Sequence, residues 1–445
     1  MEFSIAAILR HFNEAVTFYL IFPGIALLGL YLTIKLRFLQ FSKLGLSIKT
    51  LMTKSLPGEG QGITHYQAVA AVLAGNIGTG NIAGMAIALT AGGPGALVWM
   101  WIIAFLGAAI QYASCVLGAK RSQTNSRGEI LGGPMYYLSK PMGKLFACFL
   151  VLGALTIGNF TQVNSICLPF EQLGVPPLLT ALVTAALVGL VILGGMQRFA
   201  RASSSIVPIM AILYFGSALV ILGIYYDQIL PSLILMFKAA FAPSAVVGGT
   251  LGYGVVKTIT TGFDRGIFAT DAGTGIVPIL QSAAKSKSPI TNGVVTLIAP
   301  VLVMIVCTTT GLVLMVTGVW TEGAQSSNMV TAAFQKGLGN QLGLFVVVTA
   351  IFLFSYTTIL AWACCAERAV GFLFNENAVK RFRYFFIATV PIGALVDVNM
   401  VWLLADISIS LMLTTNMIGV ARHSREVILE SRSYFRKPEL SDSTV

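Results

Sequence analysis

The sequence predicts an all-α polytopic membrane protein of eleven transmembrane helices, ten of them forming two five-helix halves of inverted topology and one lying ahead of them. Three observations predict it. Hydrophobic residues make up 56% of the chain and charged residues 10%, with a mean hydropathy of +0.83, whereas a soluble domain carries about 25% charged residues. Basic residues gather in every second loop. Two of the apolar spans are interrupted by glycine-rich runs at corresponding places in the chain.

One helical span takes roughly 20 residues. Apolar segments of that kind fall at 15–34, 67–90, 95–119, 145–168, 178–196, 204–225, 248–282, 292–319, 341–366, 384–398 and 399–420. The first is a span rather than a cleaved leader: Glu2, Arg10 and Glu14 precede it and its basic cluster follows it, the reverse of a secretory signal. Residues 38–56 set Lys43, Lys49 and Lys54 among Leu44, Leu46, Ile48 and Leu51. That pattern reads either as an amphipathic helix lying on the membrane or as a plain basic loop. The seventh segment is long because it is interrupted, and Asp397, Asn399 and Asp406 crowd the junction of the last two. The chain then divides into an N-terminal helix with its amphipathic segment (1–60), a first half (61–226), a second half (227–421) and a tail (422–445).

The net charge of +11 raises nucleic acid as a partner, but the placement of the charges excludes it. The loops after spans 1, 3, 5, 7 and 9 and the tail hold 23 of the 28 basic residues. They are Lys35, Arg37, Lys43, Lys49 and Lys54, then Lys120, Arg121, Arg127, Lys140 and Lys144, then Arg198 and Arg201. Lys285 and Lys287 follow, then Arg368, Lys380, Arg381 and Arg383, and finally Arg422, Arg425, Arg432, Arg436 and Lys437. The opposite face has Arg10, Lys238 and Lys336, while Lys257 and Arg265 lie inside the interrupted span. This is the positive-inside bias. It places the N-terminus outside and the C-terminus in the cytoplasm of a cell membrane, with the lipid bilayer as partner.

All six cysteines (Cys115, Cys148, Cys167, Cys307, Cys364, Cys365) sit in or near apolar spans with no CxxC pair, as small core residues do. His11, His65 and His423 lie at or beyond the ends of the spans. A histidine metal site or hydrolase dyad cannot be assembled in such a core, which argues against a membrane enzyme and against a resident cofactor.

The first break is Ala74-Gly75-Asn76-Ile77-Gly78-Thr79-Gly80-Asn81-Ile82-Ala83-Gly84. Backbone polar groups freed at membrane depth must be met by protein, water or ligand, so broken helices line cavities and point to transporter binding sites. Close packing by small residues is the alternative, but Asn76 and Asn81 need partners that packing does not supply. The second break runs through Asp264-Arg265-Gly266 and Thr270-Asp271-Ala272-Gly273-Thr274-Gly275. With the first span set aside, each break opens five helices. Five is odd, so the second half starts on the opposite face. Asp264, Arg265 and Asp271 either pair locally across the break or place Arg265 on a gating partner elsewhere. Asp397 and Asp406 read as cavity or interface carboxylates, and Glu367-Arg368 as an anchoring pair.

The run GGPGALVWMWIIAFLG at Gly92–Gly107 resembles the signature of the alanine or glycine:cation symporter family, with Val98 where that family usually has Phe. Also similar are GTGNIAG (Gly78–Gly84), GGPMYYL (Gly132–Leu138), GN-x-x-Q-x-NSI (Gly158–Ile166), RGIF…AG (Arg265–Gly273) and TTIL-x-W…ERA (Thr357–Ala369). The matches cover residues 64 to 420 in order. The resemblance implies a leucine-transporter-type fold and cation-coupled uptake of a small neutral amino acid, alanine or glycine, with sodium or a proton as coupling ion. Three departures accompany it: Ser114 where the family is acidic, the run 269–282, and the run 408–416.

A zwitterion needs donors for its carboxylate and acceptors for its ammonium. The half-helix N-terminus offers free N–H groups, so the amides of Thr79, Gly80 and Asn81 suit the carboxylate. Carbonyls from Phe268 to Thr270 suit the ammonium, and Gln162 adds a side chain that otherwise reads as interhelical glue. Sodium prefers hard oxygens. The resemblance places its usual site between the first core helix and the eighth, at Thr357 and Thr358 opposite the carbonyls of Ala74 and Ile77, with Asn81 serving a second sodium. Adjacent threonines are otherwise satisfied by their own helix.

Overall fold

A computed structural model describes residues 5–52, 63–125, 128–241, 251–284, 286, 288–324 and 326–436. Lys54, Arg127, Lys285, Lys287, Lys437, the first residues of the 248–282 segment and the end of the tail lie outside the described residues. The described chain is almost wholly helical. Seven of its helices are individually long and apolar enough to cross a membrane: Ile8–Lys35, Ala96–Lys120, Lys140–Gln172, Gly195–Ile224, Pro289–Val316, Asn340–Leu373 and Val398–Arg436. Shorter apolar helices span Ala83–Gly92 and Pro177–Ile192. The interrupted helices are not among the seven. His65–Asn76 and Ala83–Gly92 are both short, and Leu251–Thr270 carries Lys257, Asp264 and Arg265.

Both breaks fall where the glycines place them. The helix His65–Asn76 starts at a capping box, in which Thr64 and Gln67 satisfy each other's backbone amides. It stops at Ile77 (φ −91°, ψ 80°) and Gly78 (φ −118°, ψ −159°), passes through a single 3₁₀ turn at Thr79–Asn81, and resumes at Ala83–Gly92. Leu251–Thr270 stops at Asp271, and Ile276–Gln281 follows after Gly273 and Gly275 take φ of 88° and 95°. The two glycines adopt the left-handed conformation that costs them least; Asp271 shares it at 49°.

Helix Ala96–Lys120 binds the second break into the bundle through small residues. A Cβ on Gly262 would lie 2.6 Å from the Ala96 carbonyl oxygen, and one on Gly107 would lie 2.8 Å from the Ala272 Cβ. Backbones approach this closely only where side chains are missing, the usual packing device between membrane helices. Large apolar side chains such as Leu27, Leu190, Ile212 and Phe345 are exposed on the outside. Asn76, Thr79, Asn81, Gln162, Asp271 and Thr358 are buried inside. Polar groups at the centre and apolar groups outside are the pattern required in lipid.

Four departures from the sequence reading have physical reasons. Helices Tyr226–Phe241 and Ser326–Leu338 join the spans where loops were expected; each mixes polar with apolar residues, so hydropathy alone misses it. Glu376–Thr389 begins eight residues before the 384–398 segment and ends in a 3₁₀ turn, Val390–Ala394. Asn375 sets that start, its side chain accepting from the Ala378 amide. Val398–Arg436 continues sixteen residues past 420, held by Lys120 and Arg121 on Glu426 (2.7 and 3.0 Å) and by Lys120 on Glu430. Within the described part of 38–56 the chain is helical at Leu39–Ser42 and Leu44–Met52, not a plain loop. A two-stranded antiparallel hairpin pairs Gln123–Thr124 with Ile130–Leu131.

Candidate functional site

The asparagines of the first break answer the backbone groups that the break exposes. Asn81 donates from Nδ2 to the Asn76 carbonyl at 2.7 Å, and Asn76 donates from Nδ2 to the Thr270 carbonyl of the second break at 2.8 Å. One side chain thus ties the two interruptions together. The Thr270 carbonyl, expected among the ammonium acceptors, already takes this bond, while the Phe268 carbonyl lies 3.5 Å from where a Gly80 Cβ would stand.

The free N-terminal amide of the first break is met by Gln162. Its Oε1 accepts from the Thr79 N–H at 3.1 Å and its Nε2 donates to the Ile157 carbonyl at 3.0 Å. Ile157 belongs to a π-helical turn, Thr156–Phe160, the kind of bulge that leaves a carbonyl free and recurs at functional sites. Gly158 in that turn abuts Trp362, 2.2 Å from a notional Cβ to the indole-bearing Cβ.

Thr358 faces the end of the first half-helix. Its hydroxyl donates to the Ala74 carbonyl at 2.9 Å, and a Cβ on Gly78 would stand 2.6 Å from Thr358 Oγ1 and 3.1 Å from Gln162 Oε1. Ala74, Gly78, Gln162 and Thr358 therefore converge, with Ile77 buried between them. Thr357 does not join them. Its hydroxyl bonds the Leu353 and Phe354 carbonyls of its own helix, both at 3.0 Å, as threonines in helices commonly do. Asn81 is turned inward: besides its bond to Asn76, its Oδ1 accepts from the Cys307 thiol at 3.1 Å.

Two buried oxygens at the break have no partner, Asn76 Oδ1 and Thr79 Oγ1. A buried polar atom without a bond costs about 1–3 kcal/mol, so each of the two is open to a further partner. The Ala74 carbonyl and the Thr358 hydroxyl, in contact at 2.9 Å, are hard oxygens of the kind that suits a monovalent cation or an ammonium.

A lid lies over the break. The Phe268 ring presses on Gly80, where a Cβ would come 2.5 Å from Cδ1. Phe268 in turn packs on Trp402, with ring centroids 4.8 Å apart. The Arg265 guanidinium sits 4.9 Å from the Trp402 ring centroid and 5.5 Å from that of Phe268, and forms an ion pair with Asp406. Cation–π contact on two rings holds the guanidinium down on the lid. Outside it opens a polar cavity of about 420 Å³ lined by Glu14, Lys257, Asp264, Arg265, Trp402 and Asp406 among others. The extra N-terminal helix enters this cavity, with Thr17 bonding Asp264 at 3.0 Å and Glu14 pairing Lys257 at 3.1 Å.

The local trio considered for Asp264, Arg265 and Asp271 does not form. Asp264 bonds Thr17 and Arg265 pairs with Asp406, while one carboxylate oxygen of the buried Asp271 has no partner. Asp397 is a helix cap, its Oδ1 accepting from the Asn399 and Met400 amides at 3.0 and 3.2 Å. Glu367 pairs with Arg383 at 2.7 Å rather than with Arg368, which donates to the Ile130 and Ile279 carbonyls. Ser114 accepts from Asn416 Nδ2 at 3.1 Å; that amide also reaches the Gly273 carbonyl at 2.6 Å, and its Oδ1 accepts from Tyr137. Two of the sequence departures, Ser114 and the 408–416 run, therefore meet a third at Gly273. The residues that sequence reading missed are Asn76 as the link between breaks and Trp402 as part of the lid. Only the polarity of Asn76 beside a glycine could have signalled either.

Comparison with known proteins gives the family and the fold. A family model described as the sodium:alanine symporter family matches residues 1–444. An uncharacterized transporter of Haemophilus influenzae is 40% identical over 422 residues, 93% of this chain and 92% of that protein. The sodium/alanine symporter AgcS of Methanococcus maripaludis is 36% identical over 434 residues, 93% of this chain and 94% of its own length. Among solved structures, the crystal structure of MhsT in complex with L-phenylalanine superposes with a TM-score of 0.61 at 14% identity, covering 84% of this chain and 93% of that one. That similarity is one of fold.

Proposed function

This chain belongs to the sodium:alanine symporter family, and from that premise we propose that it is a secondary active transporter, not an enzyme. It takes up a small neutral amino acid, alanine or glycine, together with sodium by alternating access. The observation that carries the proposal is the pair of orphaned oxygens, Asn76 Oδ1 and Thr79 Oγ1, at a break that Asn76 stitches to a second break.

The substrate carboxylate takes the Thr79 and Gly80 amides at the positive end of the resumed half-helix. Displaced from the Thr79 N–H, Gln162 Oε1 becomes an acceptor for the ammonium beside the Phe268 carbonyl. The pressed contact between Gly80 and Phe268 leaves room for a methyl or a hydrogen as side chain, not for a branch. Sodium is held by the Thr358 hydroxyl and the Ala74 and Ile77 carbonyls, with Thr357 outside its shell. Because cation and substrate share the first break, occupation by one orders the backbone that the other needs, which is the coupling.

Around the site the same reading places eleven spans, with two inverted five-helix halves behind the extra helix. The N-terminus is external and the C-terminus cytoplasmic, so the Arg265–Asp406 pair over Phe268 and Trp402 is the external gate. Radiolabelled alanine and glycine uptake into proteoliposomes tests the proposal, with sodium, lithium or a proton gradient imposed separately and glutamine as a larger competitor. Accumulation driven by sodium supports it; equilibration without accumulation under every gradient refutes it.

A further inference from the structure

We infer that a cavity at the basic end of the molecule, lined by none of the residues of the two breaks, binds the phosphate of an anionic phospholipid. The cavity is about 330 Å³ in volume and lies between the end of the N-terminal helix and the far end of the last helix. Lys35, Arg37, Lys43, Arg432 and Arg436 line it, and no carboxylate does. Its floor is the Tyr112–Ser431 hydroxyl pair, 2.8 Å apart.

Five cations converging on one concavity repel one another, and among the described residues none of the five forms an ion pair. The contrast lies on the same helix. Lys120 and Arg121 are matched by Glu426 and Glu430, two turns and less from Arg432. The cavity's cations instead hold each other's surroundings in place: Arg432 donates to the Lys35 carbonyl at 3.1 Å, and Lys43 lies 4.3 Å from the Phe435 ring centroid. Arg37 and Phe38 both take left-handed backbone, φ 57° and 53°. Neither is a glycine, so the turn that brings Arg37 to the cavity takes a conformation uncommon for such residues.

A dianionic or monoanionic phosphate supplies the missing charge, with guanidinium forks matched to its oxygens. The setting selects a lipid as its source. Leu30, Ile34, Phe38 and Phe41, on the same stretch of chain, are 49%, 54%, 50% and 71% exposed. A headgroup in the cavity would leave its acyl chains along that apolar face. Basic pockets between membrane helices hold lipid headgroups in this way.

The test uses the purified full-length chain in neutral detergent, titrated with phosphatidylglycerol, phosphatidylcholine or glycerol phosphate. Thermal unfolding and native mass spectrometry are the readouts. Phosphatidylglycerol is expected to stabilise the chain and to remain bound at one per chain, with phosphatidylcholine and glycerol phosphate far weaker. Arg37→Gln/Arg432→Gln/Arg436→Gln should weaken it about a hundredfold, at roughly fivefold per lost cation. Lys140→Gln/Lys144→Gln, on the same face but outside the cavity, should leave it unchanged. If the triple variant does not fold, Lys43→Gln/Arg436→Gln keeps the Arg432 bond and should weaken binding about 25-fold. Equal loss in the Lys140/Lys144 control, equal binding of phosphatidylcholine, or glycerol phosphate matching the lipid each overturns the inference. So does lipid binding that appears only when residues 438–445, with Glu439 and Asp442, are deleted, since the tail would then be the native occupant.

Discussion

Thr357 and Thr358 are neighbours of nearly the same burial, 0% and 1% exposed, yet their hydroxyls have unlike surroundings, which makes a matched pair of substitutions decisive. Thr358→Val keeps the shape of the side chain and removes the hydroxyl that bonds the Ala74 carbonyl at 2.9 Å. Leaving that carbonyl short of a partner costs about 1–3 kcal/mol, against a total stability of about 5–15 kcal/mol, so the variant still folds. A sodium ion held by the same hydroxyl loses a contact to a charge, worth about 1.5–3 kcal/mol. At 1.4 kcal/mol per tenfold, the sodium concentration giving half-maximal uptake should rise by about 12- to 140-fold. Thr357→Val removes a hydroxyl bonded to Leu353 and Phe354 of its own helix, and should move the same quantity by less than about 0.5 kcal/mol, roughly twofold, since that hydroxyl meets no group of the first break. The assay is the sodium dependence of alanine uptake into proteoliposomes at fixed alanine, with size-exclusion profiles to confirm folding. No shift in Thr358→Val, or an equal shift in both variants, would refute the assignment of the coupling ion to this helix.

Four further outcomes follow from the same geometry. Gly80→Leu should abolish alanine binding without loss of the folded protein, because its Cβ alone would meet Phe268 at 2.5 Å; a near-normal affinity by ligand titration moves the substrate away from the first break. Gln162→Ala should weaken binding by about 1–3 kcal/mol, read by the same titration, and unchanged affinity makes Gln162 a packing residue. Asp406→Asn leaves the Arg265 charge without its partner carboxylate over the lid, where a broken buried pair costs about 3–5 kcal/mol; preloaded alanine should leak faster and the accumulation ratio fall, whereas full accumulation separates the pair from gating. A tag after Val445 should be digested only from the cytoplasmic side and one before Phe3 only from outside; equal accessibility from one side rejects the odd number of spans.

What could be read in the chain, and what could not, follows the range of the interactions. The first break was legible because its cause is local: four glycines and two asparagines within eleven residues cannot continue a helix at no cost. The meeting of Thr358 with Ala74 followed from resemblance, since no local pattern joins residues 284 apart. The bond from Asn76 to Thr270 spans 194 residues; the sequence shows that Asn76 needs a partner but not which one. Helices such as Tyr226–Phe241 escaped because they lie outside the apolar register that hydropathy detects. The pairing of Asp264 and Arg265 was not legible either, because their partners lie far away in the chain: Asp264 accepts from Thr17 of the N-terminal helix and Arg265 pairs with Asp406 of the last helix. Asp271 lies beyond the end of their helix. The N-terminal helix is thereby tied to the residue beside Arg265: a motion of Leu251–Thr270 that parts Arg265 from Asp406 would also pull on the Asp264–Thr17 bond.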